Sequence, residues 1–208
     1  MDYNTILLFI ISSISLTLLP GPDILFVLTT SISKGLKNGL KISLGLCSGL
    51  IIHTFLVILG LASLLQLFPE IFRAIEVFGA IYLVFIAYTI LRINKKREKS
   101  NERKESYFVT GFIMNLSNPK VSLFFISFFP GFLFSSTLSL KIQFAVLGSL
   151  FILQALIIFC SVSFFSYYFG KRIKRISQHI IWNRIQATIL ILISAFLLLY
   201  QINHNNNI

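Results

Sequence analysis

Long apolar runs, separated by short clusters of charge, leave this chain few ways to fold. A stretch of about 20 apolar residues is the length of a bilayer-spanning helix, and several such stretches follow one another here. Only 12% of the 208 residues are charged, against roughly a quarter in a soluble domain. Mean hydropathy is +0.85. So few charges cannot coat a water-facing surface, which excludes an ordinary soluble enzyme, a disordered tail and a disulfide scaffold. Two cysteines are too few for a disulfide framework or a structural zinc site. The start, MDYNTILLFI, has no basic residue before its apolar stretch and does not read as a cleavable signal.

Hydropathy predicts six spans, near Thr5–Ser33, Ile42–Leu67, Ile71–Leu91, Tyr107–Phe134, Ile142–Phe169 and Ile185–Ile202. The predicted class is an all-α membrane protein occupying 1–208 as one transporter domain. Fifteen of the 18 basic residues fall in the connections after spans one, three and five. The positive-inside rule then puts those connections in the cytoplasm and both termini outside. The basic run 92–104 is accounted for by topology, with attraction to anionic lipid as a secondary effect and no nucleic-acid partner.

The polar run 92–106 divides the chain into halves, about 1–94 and 105–208, of three spans each. An odd number inverts the second half, so any likeness between them makes an inverted repeat. Leu19-Pro20-Gly21-Pro22-Asp23 interrupts the first span and Leu116-Ser117-Asn118-Pro119-Lys120 the fourth. Proline stops a helix and suits the first position of the next, and Asn118 is placed to cap the second half-helix. Paired breaks of this kind point to a transport site at membrane depth.

A charge follows each break. Asp23 lies about 16 Å along a helix from Lys34, and Lys120 about 20 Å from Tyr107, at 1.5 Å per residue. Both sit near mid-membrane, where a charge is costly unless paired or hydrated. They are expected to recognise a zwitterion, Asp23 taking the ammonium and Lys120 the carboxylate; a permanent structural ion pair is the alternative. Gly21, Pro22, Asn115, Asn118 and Pro119 complete the candidate binding set. Gly45, Gly49 and His53 share one face of span two. The glycines allow close helix packing, and His53 joins Asp23 as a candidate for proton coupling. Asn115 and Asn118 either bind substrate or satisfy loose carbonyls. Cys47 and Cys160 raise a thiol-redox alternative, Trp182 and Tyr200 read as interface anchors, and the 22 Phe read as lipid-facing bulk. No metal cluster, catalytic triad or phosphate-cradling loop is visible, so neither a cofactor nor an enzyme is expected. A cation exporter finds little support in one acid and one histidine at depth.

These residues resemble the LysE family of bacterial amino-acid exporters, especially its homoserine/threonine-type (RhtB) branch. Leu19-Pro20-Gly21-Pro22-Asp23 is close to that family's opening PGP-N/D motif. The basic loop from Gly35 to Lys41, the Gly45/Gly49/His53 run, Gly79-Ala80-Ile81-Tyr82-Leu83, Gly111-Phe112 through Asn115, Asn118-Pro119-Lys120 and Phe129-Pro130 follow in the family's order. Ala87, Gly131 and Ala187 depart from it, standing where Gly, Gln and Gly are expected. The resemblance implies proton-driven efflux of neutral or cationic amino acids (homoserine-, threonine- or lysine-like) across a bacterial inner membrane. The assembly stays open between a monomer and a homodimer.

Overall fold

The computed structural model describes residues 2–19, 21–67 and 106–173, with Ile81, Val84, Phe85, Tyr88, Thr188 and Ile191, the side chains of residues 64–66, Pro119 and 171–173 excepted. Apart from those single positions, the predicted third and sixth spans lie outside the described residues. So do the run 92–104, the rest of the Gly79–Leu83 motif, Ala87, Ala187, Trp182, Tyr200 and Pro20.

The described residues form helices and connections, with no strand among them. Helix α1 runs Tyr3–Leu18 and starts at an Asp2 cap, whose carboxylate accepts from the Asn4 amide at 3.0 Å. The Thr5 hydroxyl beside Asp2 holds its carboxyl below the usual carboxylate range. The residue before a proline is pushed toward extended backbone. Leu19, Gly21 and Asn118 each precede one, and each is extended (ψ 118°, −174° and 105°). Thus α1 ends, α2 (Pro22–Lys34) starts at its own proline, and the pair bends by 56°.

A single residue, Gly35, joins α2 to α3 (Leu36–Leu56). Its φ of +90° suits only glycine. The sequence places Lys34, Lys37 and Lys41 in a loop; instead Lys37 and Lys41 ride the first turns of α3, because one glycine makes the whole turn. Long lysine stems reach water from such helix ends without a loop. A π turn at Val57–Leu61 follows α3, then α4 (Ala62–Leu67).

The second half resumes with α5 (Tyr107–Leu116), α6 (Pro119–Ser127), a 3-10 turn at Phe129–Phe132 and the long α7 (Leu140–Ile173). By length and apolar composition, Leu36–Leu61 and Leu140–Gly170 can each cross a membrane, and the bent α1–α2 pair makes a third span if it counts as one. Helices α3 and α5 touch backbone to backbone. A Cβ on Gly45 would collide with the Phe108 carbonyl, and one on Gly111 would come within 2.5 Å of the Ile42 carbonyl. Ser43 and Ser163 share a 3.1 Å hydrogen bond between α3 and α7.

The described phenylalanines do not serve mainly as lipid-facing bulk. Among the described residues ten phenylalanines are buried. Phe124, Phe125, Phe128 and Phe129 pack in stacked and edge-to-face pairs against Phe9, Phe132 and Phe151. The reason is steric: half-helices that stop mid-span leave wide gaps, which large flat rings fill in favourable geometries.

Candidate functional site

Each break leaves a specific carbonyl without its donor. In a continuous helix the Leu16 oxygen would accept from the N–H of residue 20, but residue 20 is proline and has none. The Lys120 ammonium fills that vacancy, donating to the Leu16 oxygen at 3.3 Å from the opposite half of the chain. At the second break Pro119 removes the donor for Asn115. That oxygen accepts from the Asn118 amide at 3.0 Å and from His53 Nε2 at 3.4 Å. The Leu16 and Asn115 carbonyls are therefore each served by a side chain from beyond the other break.

The half-helix starts are cross-linked too. Asn118 caps α6 as its sequence position predicts, its Oδ1 accepting from the Lys120 amide at 3.1 Å. Its Nδ2 donates to Asp23 Oδ2 at 2.8 Å. Asp23 stands in the first turn of α2, where the helix dipole favours an anion. Only 5% of it is exposed, and its other oxygen, Oδ1, has no hydrogen-bond partner. Lys120 sits where the α6 dipole disfavours a cation, and its side chain turns away to the C-terminal end of α1, which favours one. Gly21 makes that approach possible: a Cβ there would lie 3.2 Å from the ammonium nitrogen.

Asp23, Lys120 and Asn115 line one cavity, walled by Leu16, Leu50, Phe151 and Phe159 among others. Its volume, about 20 Å³ for the centre of a water-sized sphere, admits a single water and no amino acid. Three buried oxygens lie unpartnered in this region of the fold, Asp23 Oδ1, Asn115 Oδ1 and Gln154 Oε1. All three are acceptors, so the missing groups are donors.

The chain matches the LysE type translocator family over residues 14–201, a span that contains both breaks. It belongs to that family. The leucine efflux proteins of Salmonella typhimurium and Salmonella typhi are each 30% identical to it over 161 residues, 75% of this chain and 74% of theirs. That of Enterobacter sp. is 30% identical over 146 residues, 68% of this chain and 69% of its own. No solved structure matches the chain. Within this LysE type translocator, the fold gathers Gly21, Asp23, Asn115, Asn118 and Lys120 into one cluster, with Pro22 and Pro119 starting the two half-helices. Gly49 borders the cluster, since a Cβ there would meet Asn115 Oδ1 at 2.5 Å. Gly45 packs away from it, against α5.

His53 touches the cluster only through the Asn115 carbonyl. It lines a second, larger cavity of about 440 Å³ with Leu56, Val57, Leu116, Ser122 and Phe125. Cys47 is buried on α3 and Cys160 partly buried on α7, both as free thiols. Among the described residues no group of three or more His, Cys, Asp or Glu could hold a metal ion.

Sequence reasoning missed Gln154. Its Nε2 donates to Thr17 Oγ1 at 2.9 Å and to the Ser13 oxygen at 3.4 Å, fastening α1 to α7. The Thr17 hydroxyl already donates to Ser13. Both Gln154 partners therefore act as acceptors, which fixes the amide with Oε1 turned away from them. The available signal was a lone amide within the apolar run Phe151–Phe159.

Proposed function

We propose that this chain exports amino acids with apolar side chains, leucine-like in size and polarity, from the cytoplasm. The observation that carries this reading is the unpaired Asp23 oxygen sharing a leucine- and phenylalanine-walled cavity with the Lys120 ammonium. A zwitterion complements that arrangement: its ammonium supplies donors to Asp23 Oδ1 and Asn115 Oδ1, its carboxylate meets Lys120, and its side chain rests on the apolar wall. The name shared by the leucine efflux relatives supports the same class. A lysine-like substrate would need a second acid at the wall, and none of the described residues lining this cavity supplies one.

Asp23 serves both substrate and proton, which compete for one carboxylate, and His53 is the second titratable group on the path. The protein spans a bacterial inner membrane six times as two inverted halves, with both termini outside. The charge distribution supports this orientation, and the reciprocal service of the two breaks supports the inverted pairing. Export is tested in cells preloaded with a panel of amino acids or dipeptides. Faster exit of leucine-like members than with empty vector is expected; no member leaving faster contradicts the reading.

A further inference from the structure

A carbonyl stripped of its donor at the C-terminal end of a half-helix is a seat for a cation, and in transporters with broken helices such ends hold coupling ions. Here two prolines strip two carbonyls at the end of α1. Pro20 frees Leu16 and Pro22 frees Leu18, since neither proline has an N–H to give four residues back. A buried carboxylate with one unpartnered oxygen, Asp23, stands in the next half-helix beside the same cavity. Carbonyl oxygen, carboxylate and the negative end of a helix dipole together make an environment for a small monovalent cation. The occupant is the Lys120 ammonium, 3.3 Å from the Leu16 oxygen, lying in the space that Gly21 leaves by lacking a Cβ.

We propose that Lys120 is a tethered cation: its ammonium permanently occupies a monovalent-cation seat built by the Leu16 carbonyl and the space at Gly21, beside the cavity that Asp23 also lines, so that transport needs no free metal cation. The inference rests on the reading of the two breaks as the transport site and adds to it the chemistry of coupling. The ammonium carries three N–H donors. One is spent on Leu16; Lys120 also lines the cavity, where a bound carboxylate taking another would complete the bridge from α1 to substrate.

Lys120→Ala removes the side chain beyond Cβ, a fragment the size of propylammonium, and leaves the seat open. For this variant, purified in detergent without amino acid, propylammonium or sodium raises the melting temperature by several degrees, whereas wild type is indifferent to both. In proteoliposomes the variant loses at least tenfold in efflux and regains a measurable part with propylammonium. Wild-type efflux is unchanged when potassium replaces sodium. A variant stabilised by neither cation, or as active as wild type without them, overturns the proposal, as does wild-type efflux that requires sodium. A second pair of variants guards against misfolding: Lys120→Arg keeps the charge and must transport, and the near-isosteric Lys120→Met must not. An active Lys120→Met also overturns it. Cation-dependent melting of Lys120→Ala with no amino-acid efflux by wild type leaves the seat standing and sinks the transport reading instead; efflux by wild type with no cation effect on the variant does the reverse.

Discussion

At the first break a glycine precedes the helix-starting proline and no side chain caps the new helix. At the second, an asparagine holds the same place and its side chain caps α6. The charges that follow are opposite, and so are their surroundings. Asp23 suits the helix start it occupies. Lys120 does not, and its side chain leaves for the far half of the chain. The first break thus keeps a bare glycine and a carboxylate oxygen without a partner. The other is locally satisfied and reaches outward as a clamp. The lesson is that two breaks of similar sequence are satisfied in different ways: Gly21 offers no cap and leaves room for the Lys120 ammonium, and Asn118 caps its own helix while donating to Asp23 at 2.8 Å.

The largest break in this comparison comes from neutralising the charge at the first break. Asp23→Asn removes the only acid among the described residues of the cavity wall, and losing one member of a buried charge recognition costs about 2–5 kcal/mol. Efflux should fall on the order of a hundredfold while the protein still inserts and purifies, as preloaded-cell efflux and size-exclusion profiles would measure.

Asn118→Ala is next. It takes away the α6 cap and the Asp23 donor together, about 1–3 kcal/mol by the cost of an unsatisfied buried partner. Roughly tenfold slower efflux and a lower melting temperature are expected; an unchanged melting temperature would show that the cap does not hold the second break. Gly21→Ala sharpens the asymmetry further. Its new Cβ must displace the Lys120 ammonium from 3.2 Å, so a severalfold rise in the substrate concentration for half-maximal efflux is expected. The smallest effect belongs to Asp2→Ala, far from either break. Its carboxyl is depressed by Thr5 and Asn4, so the cap contributes at neutral pH and is lost as pH falls through its lowered folded value. The difference in melting temperature between Asp2→Ala and wild type should be present at pH 7 and vanish on acidification, with efflux at neutral pH unaltered.

Much of this site is legible in the sequence because proline and charge act locally. A proline fixes where a half-helix stops, and a charge in an apolar run announces its own cost, so Pro22, Pro119, Asp23 and Lys120 stand out unaided. The crossed pairing does not. That Lys120 serves Leu16 and His53 serves Asn115 follows from how two distant segments pack, and no local spacing encodes it. Gln154 escaped notice because an amide carries no charge to betray it, and only its position against Thr17 gives it a role. The inward phenylalanines were hidden for a related reason: an apolar side chain fits lipid and core alike, and only the gaps left by broken helices decide between them. Gly35 replaced a predicted loop because its single positive φ could make the turn.

A zwitterion held between the two breaks is tested most directly by exchange in proteoliposomes using three matched molecules: L-leucine, its 2-hydroxy-acid analogue without the ammonium, and its amide without the carboxylate. Wild type should exchange leucine and reject both analogues. Asp23→Asn should lose leucine exchange and with it the preference over the hydroxy acid, and Lys120→Met should lose the preference over the amide. Wild-type exchange that treats all three alike, or leucine exchange that survives intact in Asp23→Asn, would contradict the zwitterion reading.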